Sequence, residues 1–201
     1  MLVLNEQDQQ NLLDMKEVIE EVGHALQVFS EGKTETPLRY VLPFNKVNRY
    51  LVMPALSDEL NIVGIKTVTF APNNPKLDKK IITGSVLLSD YDTGETLAVL
   101  DGSYLTKIRT GAISGVATKY LAREDAKTLC VIGAGDQAEG LIAAILAVRD
   151  IEMLHISSRT RAKAEKLARF VKQTYQVTTK VFDEADQAME NADIIVTATN
   201  S

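Results

Sequence analysis

Apolar side chains at Val18, Val22, Ala25, Leu26 and Phe29 fall mostly three and four residues apart, the repeat that gathers them on one face of a helix. Asp14 followed by Glu17 has the form of a capping box, so the helix is predicted to begin at Asp14 and to end by Gly32. From Arg39 to Leu100 the text changes to short β-rich runs: Tyr40 to Leu42, Tyr50 to Met53, Val63 to Phe70, Gly84 to Ser89 and Thr96 to Leu100. Asp92, Thr93 and Gly94 give a hairpin-turn signal between the last two. A second helix is predicted from Ser103 to Leu121, with Leu105, Ile108, Ala112, Ile113, Val116 and Tyr120 on one side. Its small residues Gly111, Ala112, Ser114 and Gly115 invite close packing.

After Glu124 and Asp125 strands and helices alternate strictly. Strands are predicted at Thr128 to Gly133, Met153 to Ser157, Val177 to Phe182 and Asp193 to Thr199, with helices at Gln137 to Val148, Arg161 to Tyr175 and Glu184 to Glu190. This alternation is that of a parallel sheet covered by helices, an α/β fold of the Rossmann, doubly wound type, preceded by an α+β domain. The boundary divides the chain into residues 1–124 and 125–201. Doubly wound dinucleotide folds have about six strands in two halves, so the strands named here correspond to roughly the first half.

The chain has 201 residues, 45% of them hydrophobic and 24% charged, which is enough apolar material for a core of ordinary globular kind. A net charge of −5 gives no general attraction to nucleic acid or anionic lipid, so any basic site must be local. The single cysteine, Cys130, can form no intramolecular disulfide, and no signal peptide or bilayer-length apolar run is visible. A cytoplasmic protein without membrane or nucleic-acid partners is the expectation.

The strand residues Leu129 to Ile132 run straight into Gly133, Ala134 and Gly135, and a helix follows through Asp136, Gln137 and Ala138. Only small residues let a backbone approach a pyrophosphate there, and the helix N-terminus offers free N–H groups and a positive dipole end. In its strand-turn-helix-strand setting the motif predicts dinucleotide binding. The tip of the next strand distinguishes the two nicotinamide cofactors, because a carboxylate there bonds a ribose 2′-OH whereas arginine accommodates a 2′-phosphate. Ser158, Arg159 and Thr160 occupy that corner, with no acidic residue, which favours NADP(H), with NAD(H) as the alternative.

Arg109 falls on the stripe of Leu105, Ala112, Ile113 and Val116, so its guanidinium is expected to point inward and to need an anion, either a substrate carboxylate or an internal Asp or Glu. Lys66 shares a strand face with Ile62, Gly64, Val68 and Phe70; it reads either as an inward lysine that fixes a carboxylate or exchanges a proton, or as a solvated lysine on an edge strand. Arg39 precedes a short apolar run and says little by itself. His24 and His155 have no motif around them, and neither a metal-ligand cluster nor a Gly-x-Ser-x-Gly elbow is present.

Thr106 to Ala117, with Arg109, Thr110, Gly111 and Ala112 at its centre, joined to the run Gly133 to Ala138, resembles the ornithine cyclodeaminase/mu-crystallin family. Val52-Met53-Pro54, Gly64-Ile65-Lys66 and Leu87-Leu88-Ser89-Asp90 extend the resemblance over the whole chain. It implies a split substrate and dimerisation domain before the Rossmann domain, and a homodimer. It also implies that Arg39, Lys66 and Arg109 surround the substrate carboxylate, and that Thr83, Thr110, Asp136, Gln137, Ser158 and Thr199 line the cofactor. Two positions depart from ornithine cyclodeaminases: Leu51 stands where those enzymes place a glutamate for the side-chain amine, and Ser158 where NAD-using members carry an aspartate. Their catalytic aspartate would lie beyond Ser201.

The implied activity is an NAD(P)-dependent oxidoreductase moving hydride to or from the α-carbon of a small amino or imino acid. Ketimine reduction and alanine dehydrogenation are favoured by Leu51, and cyclodeamination of ornithine to proline is the competitor. A non-catalytic protein that holds NADPH and a small ligand is the alternative from another class.

Overall fold

The structure, a computed structural model, describes residues 1–199. By compactness the chain forms two units, Met1–Leu13 with His24–Thr106, and Asp14–Gly23 with the chain from Lys107 onward. The last two positions of the predicted 125–201 range lie outside the described residues. No described helix is long and apolar enough to cross a membrane.

The first unit is built on a six-stranded sheet in the order β1-β6-β5-β4-β3-β2. Its strands are β1 (Leu2–Leu4), β2 (Tyr40–Phe44), β3 (Asn48–Ser57), β4 (Ile62–Phe70), β5 (Ile82–Asp90) and β6 (Thr96–Asp101). β1 runs parallel to β6 and the remaining neighbours are antiparallel. The β5–β6 turn closes as its residues dictate: the Asp90 carboxylate accepts from the Thr93 backbone and hydroxyl at 2.8 Å, and Gly94 takes a φ of 72°.

β1 and helix α1 (Glu6–Leu12) escape sequence periodicity because both are too short to establish a period. The reciprocal capping box belongs to α1, with Asn5 and Asp8 as partners. At the start of α2 (Met15–Ser30), Asp14 accepts from the Lys16 and Glu17 amides at 2.9 and 3.3 Å, a one-way cap rather than the predicted box with Glu17. Gln9, fully buried, ties two strand ends together by donating to the Leu4 and Asp101 carbonyls.

Opposite residues of a sheet share a face. Lys66 lies between Met53 and Val86 in register, on the face that buries Val86 and Ala98. On the other face run Val3, Tyr40, Leu42, Tyr50, Val52, Ile65, Leu87 and Val99, all half-buried or exposed.

The second unit holds a four-stranded parallel sheet in the order β10-β7-β8-β9. The strands are β7 (Thr128–Ile132), β8 (Met153–Ser157), β9 (Thr178–Phe182) and β10 (Ile194–Thr197). Helices α4 (Ala138–Val148), α5 (Arg161–Tyr175) and α6 (Ala185–Met189) connect them. Leu129, Val131, Ile142, Ile145, Leu154, Ile156 and Val171 form the core of this unit, and burying each such side chain contributes about 1.5–3 kcal/mol.

Helix α3 (Gly102–Leu121) packs through small residues. A Cβ on Gly111 would stand 2.1 Å from the Gly140 carbonyl oxygen, so α3 and α4 cross in backbone contact. The Arg149 guanidinium caps the end of α3, donating to the carbonyls of Thr118, Lys119, Ala122 and Arg123. This packing rotates α3 relative to the sequence reading. The buried line is Ile108, Gly111, Ala112, Gly115 and Thr118, which leaves Arg109, Ile113 and Tyr120 exposed.

Candidate functional site

β7 ends where the order of strands reverses, with β8 on one side and β10 on the other. Open α/β sheets bind ligands outside the carboxyl ends of strands at such a point. Gly133 sits there under two constraints: its φ is 105°, and a Cβ would lie 2.5 Å from the Ala198 carbonyl oxygen. Its N–H donates to the Ser157 carbonyl at 2.7 Å, and the Ala198 N–H donates to the Ile132 carbonyl at 2.7 Å, which pins the turn between both neighbouring strands.

Above the turn the environment opens. A Cβ on Gly135 would meet only the Ala198 oxygen, at 3.9 Å. Among the described residues the backbone N–H groups of Gly135, Asp136 and Gln137 have no hydrogen-bond partner, while Ala138 donates to the Gly135 carbonyl at 3.0 Å. Gln137 precedes α4 without capping it, and its buried amide oxygen is unpartnered. A small-residue cradle with free amides at a helix N-terminus suits a pyrophosphate, and these residues fit the phosphates of a dinucleotide. Asp136 is exposed and Ala138 is wholly buried, closing the turn against the core.

At the tip of β8, Ser157 is buried, Ser158 half-buried, and Arg159 and Thr160 exposed. Among the described residues none of the side chains of Ser158, Arg159 and Thr160 is engaged, whereas the adjacent Arg161 pairs with Glu165 and Asp183. Thr199 reaches the same edge of the sheet, its methyl 3.1 Å from where a Gly133 Cβ would stand.

The remaining candidates are spread over both units. Lys66 is half-buried on β4, which is paired on both sides, so the edge-strand reading is excluded. Its Nζ donates to the Thr106 hydroxyl at 2.5 Å. Arg39 is exposed just before β2, and Thr83 is exposed on β5 opposite Thr69. On α3, Thr110 is half-buried. Arg109 does not point into the core as its spacing predicted, and among the described residues it has no acidic partner, so an internal ion pair is not what occupies it. Its surroundings still remove enough water to lower the guanidinium pKa from its ordinary value. The Lys66–Thr106 contact escaped the sequence because nothing in either local pattern joins a strand residue to a helix forty positions away.

His155 packs edge-on against Phe182 and donates Nδ1–H to the Ala188 carbonyl, and His24 is exposed near Glu59; both are packing or surface residues. Burial in β7 pushes the Cys130 thiol up to about 11, which makes it a core residue without nucleophilic character.

The strand order, the glycine turn and the open helix N-terminus define a Rossmann-type unit joined to an α+β unit. The family model described as "Ornithine cyclodeaminase/mu-crystallin family" matches residues 1–201, and the chain belongs to this family. It is 50% identical to Delta(1)-pyrroline-2-carboxylate reductase of Bacillus cereus, covering 100% of this chain and 62% of the relative. Among solved structures it resembles the same-named reductase of Thermococcus litoralis in complex with NADH and L-proline, at a TM-score of 0.92 and 37% identity over 100% of this chain and 62% of that one. An archaeal alanine dehydrogenase dimer with bound NAD gives a TM-score of 0.90 at 30% identity, over 100% and 61% of the two chains. The chain thus spans less than two thirds of the length of these relatives.

Proposed function

We propose that this protein is a nicotinamide-dependent oxidoreductase that reduces a small cyclic imino acid at its α-carbon, with pyrroline-2-carboxylate as the leading substrate. The observation that carries the reading is the 50% identity to the Bacillus cereus reductase across the whole of this chain. Residues 1–124 serve substrate binding and dimerisation, and residues 125–201 serve dinucleotide binding.

Arg39, Lys66 and Arg109 hold the substrate carboxylate. Three cationic groups on one carboxylate orient the C=N bond by charge-assisted hydrogen bonds, and orientation of this kind is a large part of what a protein adds to a cofactor's chemistry. Lys66 Nζ also delivers a proton to the imine nitrogen, so that the carbon becomes electrophilic and the product leaves as a neutral secondary amine. The nicotinamide, when bound, supplies the hydride. Gly133, Gly135, Asp136, Gln137 and Ala138 take its pyrophosphate, and Thr83, Thr110 and Thr199 line its path. Ser158, Arg159 and Thr160 receive a 2′-phosphate, making NADPH the preferred form; this preference rests on that corner alone. Leu51 lies on the Lys66 face of the sheet, opposite Val68, and a leucine there cannot pair with a substrate ammonium, which argues against cyclodeamination of ornithine.

The reading is tested by following NADPH and NADH consumption with pyrroline-2-carboxylate, with pyruvate plus ammonia, and ammonia release from ornithine. Turnover of the cyclic imino acid above the others, lost in Lys66→Met with dinucleotide affinity retained, is the expected result. Tight dinucleotide binding without turnover of any of them would replace the enzyme reading by a binding protein.

A further inference from the structure

Lys66 carries its amine on a long flexible stem, and fixing a freely rotating lysine ammonium on a ligand costs rotamer entropy. In this chain the stem is not left to the ligand. Lys66 Nζ donates to Thr106 Oγ1 at 2.5 Å, and the Thr106 hydroxyl donates its own proton to the Gly102 carbonyl one turn back along α3. A hydroxyl has one proton. With that proton held by Gly102, the oxygen presents only lone pairs to the lysine.

The carbonyl that fixes the hydroxyl is itself fixed. The Asp101 carboxylate caps α3 by accepting from the Ser103 and Tyr104 amides at 2.9 and 2.8 Å. Buried Gln9 donates to the Asp101 carbonyl at 3.1 Å. Gly102 rests on the β5 backbone so closely that a Cβ would stand 2.7 Å from the Gly84 carbonyl carbon. A rigid line therefore runs from Gln9 through Asp101, Gly102 and Thr106 to the lysine amine.

We infer that Thr106 is the positioning residue of Lys66, its hydroxyl acting as a one-way acceptor that aims the ammonium. This rests on the reading of Lys66 as the group that meets the substrate. The pair Thr106→Val and Thr106→Ser separates positioning from packing, because valine keeps the shape and loses the oxygen, and serine keeps the oxygen and loses the methyl. Thr106→Val is expected to lower kcat/KM for the cyclic imino acid by about tenfold or more, with the NADPH Kd unchanged, while Thr106→Ser stays within about threefold of wild type. A second readout needs no turnover: acetylation of Lys66 by acetic anhydride, scored by peptide mass spectrometry against exposed Lys76. It is expected to accelerate about threefold or more in Thr106→Val and not in Thr106→Ser. Serine as impaired as valine, or the same Lys66 labelling in all three proteins, overturns the inference. Full turnover in Lys66→Met, with the labelling difference intact, removes the substrate role of Lys66 but leaves Thr106 as the group that positions it.

Discussion

A methyl group at position 133 would need a backbone conformation that L residues rarely adopt, and would collide with a carbonyl of the neighbouring strand end. Gly133→Ala is therefore expected to lower the urea midpoint, by about 1–3 kcal/mol of stability, and to weaken dinucleotide binding at least tenfold. An alanine variant with wild-type NADPH affinity would show that the turn is not the phosphate site. Arg159 allows a sharper test, since its guanidinium has no competing partner among the described residues. Arg159→Ala should weaken NADPH by about 10–100-fold and leave NADH nearly unchanged, as expected for one charge-assisted pair with a phosphate. A wild-type preference for NADH sinks the proposed phosphate corner. At this scale the conformation of the glycine turn is legible in the sequence, because residue type and backbone angle are locked together at Gly133. Arg109 lies outside the buried face because glycine and alanine bury a helix face by letting backbones touch, and the close approaches at Gly111 and Gly115 set the buried line away from Ile113 and Arg109.

Where strands and helices alternate in the second unit, elements coincide with their predicted positions: β8 and α5 at both ends, α4 and β9 within one residue. β10 is held differently. Asp193 at its start accepts from the Lys127 and Thr128 amides at 2.8 and 2.9 Å and pairs with Arg123, so one carboxylate ties the beginnings of β10 and β7. Those amide hydrogen bonds hold its pKa below the usual 3.8. A carboxyl with a depressed folded-state pKa contributes stability that is present above the unfolded value and lost as pH falls through the folded one. Asp193→Asn should therefore lower the melting temperature near neutral pH by about 3 °C and flatten its decline below about pH 4. An unchanged acid limb in differential scanning calorimetry would remove Asp193 from that role. No local pattern announced this tie, since its partners are 65 to 70 residues away.

On the scale of the whole molecule, one face of the six-stranded sheet has no buried residue, although Tyr40, Leu42, Val52, Ile65, Leu87 and Val99 form an apolar band across it beside a polar corner of Thr67, Thr69, Thr83 and Ser85. An exposed apolar band of this kind marks an interaction surface, and a second copy of the chain is the proposed occupant, in line with the homodimer implied by family resemblance. Leu42→Glu is expected to raise the dimer dissociation constant about 30-fold or more, read by sedimentation velocity, because it buries a charge in an apolar contact. A wild-type protein that sediments as a monomer at all concentrations would dispose of the proposal.

The sequence by itself determined the parallel α/β unit, its glycine turn, the acid-free corner after β8 and the β-rich first part, because hydrophobic period and the steric demands of glycine act over a few residues. Tertiary structure alone decided that β4 is an interior strand, which face of α3 is buried, that Gly111 meets Gly140, and that Thr106 holds Lys66. These depend on contacts between residues distant along the chain, and a local pattern carries no record of which distant partner will arrive.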